Sequence, residues 1–204
     1  MKKTLLVLSM VALSSVAMAQ KGSWYAGGMV GFGSSTDKDA NDKKNVTSTW
    51  NFSPEVGTFL RDDIQLGLVL GLGGSKTKFD GDETGSTSRF SPTVYGRKFF
   101  KVTEQFSMFG GLYLSLINEK STDKSSGYEI EMKSNGFGAK VGVGCAYALS
   151  PRFTAVGQFG VLNFQSVSNE VEGNDAGKSS DFGLDINTFG AAAFNVGLYY
   201  TFMQ

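Results

Sequence analysis

The chain has 204 residues, with 19 basic residues, 19 acidic residues, no histidine and one cysteine. Such a balance of charge gives no sign of a nucleic-acid partner, and a lone cysteine excludes a disulfide within the chain. Glycine is frequent, with 27 residues, and proline is rare, with 3. No stretch combines helical periodicity with caps, so the sequence argues against long helices.

Residues 1–19 have the features of a secretory signal peptide. Two lysines precede a short apolar run, and Ala17-Met18-Ala19 supplies a small-residue cleavage site. The run is too short for a membrane helix, which needs about 20 residues, and no later stretch approaches that length. We predict a mature domain at residues 20–204, with 17 basic and 19 acidic residues and a formal charge of −2.

Eight later segments alternate apolar and polar residues with the period of two that is typical of β-strands. The predicted strands are about residues 23–34, 46–60, 64–79, 89–100, 106–118, 134–149, 153–166 and 182–202. The connections alternate between long and short, and the long polar ones are residues 36–45, 80–88, 119–133 and 167–181. This alternation is typical of an outer-membrane β-barrel, which has short periplasmic turns and longer extracellular loops.

The hairpin at residues 52–74 shows the polarity of the predicted strands. Large apolar residues such as Leu66 and Leu68 fall on one face, and small residues such as Gly67 and Gly71 fall on the other. An outer-membrane barrel has this polarity, because its apolar face meets lipid and its small, polar face lines a narrow interior.

A soluble eight-stranded barrel is the alternative, and it would place large apolar residues inside and charges outside. In this sequence Glu55, Arg97 and Lys140 share the parity of the small residues, and the large apolar residues take the other parity. We therefore predict an all-β protein, an eight-stranded antiparallel up-and-down transmembrane β-barrel in the outer membrane.

Aromatic residues cluster near the predicted strand ends, as expected for girdles at the two membrane interfaces. Those near short turns or termini are Trp24, Tyr25, Phe59, Phe99, Phe100, Tyr147, Phe153, Tyr199, Tyr200 and Phe202. Pro54 and Pro92 sit in two similar Phe-Ser-Pro segments. Because proline cannot donate to a β-ladder, we predict a local bulge at each.

The chain resembles the small outer-membrane β-barrel proteins related to the membrane domain of outer membrane protein A. Three segments carry the likeness: FSPEVGTFLRDDIQLGLVLGLG, FSPTVYGRKFFKVTEQFSMFGGLYL and FGLDINTFGAAAFNVGLYYTF. The resemblance implies a monomeric barrel, assembled by the barrel-assembly machinery, and no defined activity. Members of this family usually end on an aromatic residue that the machinery reads, whereas here Met203 and Gln204 follow Phe202.

No motif in the sequence predicts catalytic, cofactor-binding or metal-binding residues. The known small barrel enzymes resemble one another in using a histidine as base, and this chain has none. Cys145 has the lipid-facing parity of an apolar filler. Residues 173–179 lack the spacing of a phosphate loop. Residues 80–85 resemble the start of a calcium loop, but Ser91 occupies the position of the required glutamate, which leaves a solvated turn or a weak surface cation site.

The sequence therefore predicts a structural or surface-interaction role with four extracellular loops, in contact with outer-membrane lipid and lipopolysaccharide. The surface ligand is not identifiable. The alternative is a narrow porin or a carrier of small hydrophobic molecules, which an uninterrupted polar interior or a lateral gap between strands would favour. An enzyme is disfavoured.

Parity also predicts a polar cluster inside the barrel. Its members are Glu55, Arg97, Lys140, Gln158 and Asn195, each about six to ten residues from the nearest short turn or terminus. An eight-stranded barrel is just wide enough to be filled by side chains, and buried charges are tolerated when they are paired. We predict that Glu55 pairs with Arg97, Lys140 or both and closes the interior; separately hydrated side chains are the alternative.

Overall fold

The computed structural model describes residues 21–38, 42–124, 128–172, 174–184 and 195–202. No helix in these residues is long and apolar enough to cross a membrane. The strands in the described residues are β1 (Trp24–Lys38), β2 (Lys44–Arg61), β3 (Ile64–Phe79), β4 (Asp82–Lys101), β5 (Phe106–Asp123), β6 (Ile130–Ala148), β7 (Phe153–Val171), β8 (Asn174–Leu184) and β9 (Asn195–Phe202). Residues 1–19 lie outside this description, so the signal peptide stays a prediction.

The strands form a closed antiparallel ring. From β1 to β7 each strand pairs with the next one in the chain, and β9 closes the ring by pairing with both β7 and β1. The prediction of an all-β, antiparallel up-and-down barrel is confirmed. Within the described residues the ring contains β1–β7 and β9, and β8 pairs with β7 alone.

The end of the chain differs from the single strand that was predicted at residues 182–202. Two strands lie here: β8 pairs with β7 from Leu162 to Val171, and β9 pairs with β7 from Phe153 to Gln158. Residues 185–194, between them, lie outside the described part. The described chain thus has nine strands. The expected count of eight therefore fits the ring but not the chain.

The two faces of the strands differ as the period of two predicts. Leu68 on β3 and Leu114 on β5 point outward and are 53% and 49% exposed, whereas Gln65 on β3 points inward and is 5% exposed. Along β5 the outward apolar residues run from Met108 to Leu116. Eight residue steps cover about 27 Å along a strand, or about 21 Å across the membrane at a tilt of about 40°, close to the apolar band of about 25 Å in such barrels.

Most of the predicted long loops are strand instead. For the predicted loop at residues 80–88, the turn is only Asp80-Gly81, with φ angles of 53° and 100°, and β4 begins at Asp82. Polar pairs continue the ladder beyond the apolar band, and the hydroxyls of Thr87 and Ser121 lie 2.8 Å apart. The prediction of a loop was wrong because strand pairing continues from the barrel into a hairpin that is polar on both faces, where the sequence lacks the apolar–polar alternation that marks a strand.

The two ends of the barrel are named by these features. The short-turn end carries the turns at residues 62–63, 102–105 and 149–152. The extension end is the opposite end, where paired strands run on beyond the apolar band.

Two smaller predictions also failed. The ladder keeps its register through Pro54 and Pro92, since Gly28 faces Pro54 and Leu70 faces Pro92 without a shift. Each proline lacks the N–H that would donate to the ladder, but its strand contains no extra residue and so no bulge at that point. Among the aromatics assigned to the girdle, four point into the barrel instead: Tyr25, Phe59, Phe99 and Tyr199.

Arginine substitutions test which residues face lipid. Leu68→Arg and Leu114→Arg should prevent stable insertion, because an arginine in the hydrocarbon costs about 2–4 kcal/mol. Thr122→Arg is the control, since Thr122 shares the outward face of Leu114 but lies beyond the apolar band. The measurement is the fraction of outer-membrane protein whose gel migration changes on boiling. Normal assembly of both leucine variants would show that the assigned faces are wrong.

Candidate functional site

A connected set of hydrogen-bonded side chains crosses the barrel interior around Arg97. Arg97 lies on β4 at an inward position and is 2% exposed. We call this set the Arg97 cluster; its members are Tyr25, Glu55, Gln65, Tyr95, Arg97, Tyr113, Gln158 and Tyr199. They come from every strand of the ring except β6.

Arg97 and Glu55 form a buried, two-pronged ion pair. Arg97 Nη1 donates to Glu55 Oε1 at 2.8 Å, and Nη2 donates to Oε2 at 3.2 Å. Both side chains are 1% exposed. This fork-to-fork geometry gives stronger and more directional bonds than a single contact between two charges.

The remaining donors of Arg97 are also engaged. Nε donates to the Tyr113 hydroxyl at 2.9 Å, Nη1 donates to Gln65 Oε1 at 3.2 Å, and Nη2 donates to Gln158 Oε1 at 3.2 Å. With the two bonds to Glu55, the five N–H donors of a guanidinium meet five acceptors. Full satisfaction matters because a buried charge with open donors would be strongly destabilising.

Aromatic rings surround the guanidinium. Arg97 Cζ lies 4.1 Å from the ring centroid of Tyr95, 5.2 Å from Phe109, 5.5 Å from Tyr113 and 5.9 Å from Tyr199. At such distances the negative face of an aromatic ring attracts a cation, by about 2 kcal/mol or more where water is excluded. The rings therefore replace part of the hydration that Arg97 loses.

Tyrosine hydroxyls complete the coordination of Glu55. Tyr199 donates to Oε2 at 2.7 Å, Tyr95 donates to Oε1, and the hydroxyls of Tyr25 and Tyr95 bond to each other. Within the described residues, no buried side-chain nitrogen or oxygen lacks a hydrogen-bond partner.

Inward glycines make room for these rings. A Cβ added to Gly57 would overlap the Tyr25 hydroxyl, and one added to Gly67 would overlap the Tyr95 hydroxyl. The small face that the sequence shows at these positions is therefore the space that the tyrosines occupy.

The predicted site residues fall into two groups. The structure brings Glu55, Arg97 and Gln158 into one network. Asn195 pairs with Gln158 through the backbone ladder, but its side chain lies outside the described part of the chain.

Lys140 does not bond to Glu55 among the described contacts. Its Nζ lies 5.0 Å from the ring centroid of Tyr113 instead. The acceptor oxygens of Glu55 are already taken by Arg97 and two tyrosines, which leaves Lys140 on the edge of the cluster.

Sequence reasoning missed five members of the cluster: Tyr25, Gln65, Tyr95, Tyr113 and Tyr199. Parity could have identified Tyr25 and Tyr199, because each stands between outward neighbours, such as Trp24 before Tyr25. Both lie near strand ends and were therefore assigned to the aromatic girdle, although the period of two places their side chains inside the barrel.

Cavities lie on both sides of the cluster. On the extension side, a cavity of about 470 Å³ is lined by polar inward residues that include Asn51, Ser53, Thr87, Ser91 and the Arg89–Glu119 pair. On the short-turn side, a cavity of about 50 Å³ is lined by residues that include Gln65, Phe99, Ser107 and Thr201. The described residues contain no group of three or more side chains that could hold a metal ion.

Comparison with known proteins identifies the architecture. A family model described as "Outer membrane protein beta-barrel domain" matches residues 4–202. No curated protein matches the chain. The solved structure of the outer membrane protein OprG from Pseudomonas aeruginosa is similar, with 13% identity, a TM-score of 0.52, and coverage of 93% of this chain and 100% of that chain. The translocator domain of the autotransporter NalP from Neisseria meningitidis is also similar, with 9% identity, a TM-score of 0.51, and coverage of 98% and 96%. At these identities the structural likeness concerns the fold alone.

The two Arg–Glu pairs of the interior allow a matched test of burial. Arg97→Ala leaves Glu55 buried without its cation and should lower the free energy of unfolding by about 3–5 kcal/mol. Arg89→Ala breaks the Arg89–Glu119 pair, whose side chains are 59% and 25% exposed, and should cost less than about 1 kcal/mol. Urea unfolding in lipid vesicles measures both. Equal losses would show that the Arg97 cluster has no special part in stability.

Proposed function

Because this chain belongs to the family of outer membrane protein β-barrel domains and so lies in the outer membrane, we propose that it acts there as a structural or surface-interaction protein with a closed interior. The observation that carries the proposal is the full engagement of Arg97 and Glu55 across the barrel. Five hydrogen bonds and four aromatic rings satisfy Arg97 without water, which supports a closed interior at this level.

The proposed membrane-spanning unit has eight strand positions. β8 and β9 pair with successive halves of β7, which supports treating them as two parts of one last position. An even number of positions puts both ends of the chain on one side of the membrane, in agreement with the pairing of Trp24 with Phe202.

The proposed orientation places the short-turn end in the periplasm and the extension end outside the cell. Four hairpins would then project from the surface: β1–β2, β3–β4, β5–β6 and β7–β8. Their exposed polar edges and charges, such as the Lys120–Glu131 pair at 2.6 Å, are the parts that a ligand outside the cell would meet.

The proposed partners follow from this placement in a Gram-negative envelope. The apolar outer face contacts outer-membrane lipid and lipopolysaccharide, the barrel-assembly machinery inserts the chain, and the barrel works as a monomer. We propose no enzymatic activity, since the oxygens of Glu55 are already bonded to Arg97 and two tyrosines and the chain has no histidine to act as a base at neutral pH.

A carrier of small hydrophobic molecules is the second candidate, and the cavity of about 470 Å³ on the extension side favours it, because it has room for a small molecule above the Arg97 cluster. Release into the membrane would need a lateral gap between strands. This candidate predicts uptake of an apolar dye by cells that make the protein, and uptake equal to that of cells without it would exclude the carrier.

Conductance in planar bilayers tests the closed interior. The wild-type barrel should carry no steady ion current, whereas Glu55→Ala combined with Arg97→Ala removes both charged side chains and should open a measurable conductance. Glu119→Ala combined with Arg89→Ala is the matched control, because it removes a similar pair from the wide cavity and should leave the barrel closed.

Each protein is first shown to change its gel migration on boiling, so that only closed barrels are compared. A steady current through the wild-type barrel, equal to that of the Glu55/Arg97 variant, would contradict the proposal.

A further inference from the structure

One lysine lies on the lipid-facing side of the barrel wall. Lys98 on β4 is outward and exposed, and its ladder partner on β5 is Gly110, which lies inside the apolar band. It is the only charged residue among the outward positions of residues 64–72, 90–100 and 108–116. These ranges cover β4 and both of its neighbours, so Lys98 interrupts a wall that is otherwise built for contact with lipid.

The side chain of Lys98 runs toward the short-turn end. Its Nζ lies 5.7 Å from the ring centroid of Phe100, which is the next outward residue of β4 in that direction. Phe100 faces Met108, where the apolar band of β5 begins. A lysine near the edge of the hydrocarbon buries its apolar stem and extends its ammonium group to the interface. The ammonium group of Lys98 therefore lies at the depth of the lipid headgroups.

The barrel wall supplies no counter-ion at this position. Both neighbouring strands and the two turns beside Lys98 belong to the described part of the chain, and no carboxylate there forms an ion pair with it. Asp63, in the nearer of these turns along β3, pairs with Arg61 at 3.7 Å. The aromatic ring beside the ammonium group attracts it only weakly at an exposed site. A negative group from outside the protein would supply the missing partner.

The wall beside Lys98 also has space for an acyl chain. A Cβ added to Gly110 would meet nothing within 4 Å. The outward neighbours of Gly110 carry larger side chains, namely Met108 and Leu112 along β5 and Val143 across on β6. The missing side chain therefore leaves a shallow apolar depression between these three residues, which we call the Gly110 notch. It adjoins Lys98, because Lys98 and Gly110 are ladder partners.

We propose that Lys98 and the Gly110 notch bind one phospholipid whose headgroup has a net negative charge. The ammonium group donates to the phosphate oxygens, and the first carbons of an acyl chain lie in the notch. A zwitterionic phospholipid binds less tightly, because its own ammonium group competes with Lys98 for the phosphate. The site goes beyond the proposed contact with bulk lipid, and only its leaflet rests on the proposed orientation, which puts the short-turn end on the periplasmic side.

Native mass spectrometry of the mature barrel in an uncharged detergent tests the site. The measurement is the affinity for the first bound lipid, with phosphatidylglycerol compared with phosphatidylethanolamine of the same acyl chains. We expect the wild-type protein to bind phosphatidylglycerol about fivefold more tightly, as for a favourable exposed ion pair. Lys98→Met should remove this preference. Gly110→Leu fills the notch, keeps the charge, and should weaken the binding of phosphatidylglycerol.

Lys101→Met is the matched control. It removes the same charge at the same end of β4, but Lys101 faces Ser107, which points inward and is 1% exposed. Its loss should therefore leave the preference unchanged. Both test variants place an apolar residue toward lipid, and each is first shown to change its gel migration on boiling.

Equal wild-type affinities for the two lipids would overturn the proposal, as would a preference that survives in Lys98→Met or an unchanged affinity in Gly110→Leu. Affinities in micelles do not depend on which end of the barrel faces the periplasm. Protease digestion of the hairpins on intact cells tests that orientation separately.

Discussion

The interaction on which the interior depends is the buried ion pair between Arg97 and Glu55. Removing either charge from water costs several kcal/mol, and the pair is tolerated only if every remaining donor and acceptor is used. The structure meets that condition with glutamine oxygens and tyrosine hydroxyls from β3, β5, β7 and β9. One ion pair thereby ties together strands that are far apart in the chain.

This requirement extends to the backbone. Four tyrosines around one ion pair take up most of the width of a narrow barrel, so the strand positions beside them carry glycine. Gly57 and Gly67 are examples, since any side chain there would occupy the space of Tyr25 or Tyr95. The outer residues are large and apolar because they contact lipid. The inner residues beside the tyrosines are small because the polar cluster fills the interior.

Much of the fold was predictable because a period of two is a local property of a strand. Parity alone assigns Leu68 to lipid and Glu55 to the interior. Which inward side chains bond to each other was less predictable. Strands in a barrel are staggered, so residues at equal distances from a turn do not lie at equal depth. From the sequence, Lys140 and Arg97 were therefore equally good candidates to pair with Glu55. In the structure Arg97 forms the ion pair. The polar hairpin extensions were unpredictable for another reason, since serine and threonine suit both loops and solvated strands.

The coupling between Glu55 and Arg97 tests this account most directly. A double-mutant cycle compares Glu55→Gln, Arg97→Met and the double variant by urea unfolding in lipid vesicles. If the pair is the centre of the interior, the double variant should lose about 2–3 kcal/mol less than the sum of the two single losses, because each single variant leaves a buried charge unpaired. Additive losses, within about 0.5 kcal/mol, would contradict the claim that the rest of the interior is built around this ion pair.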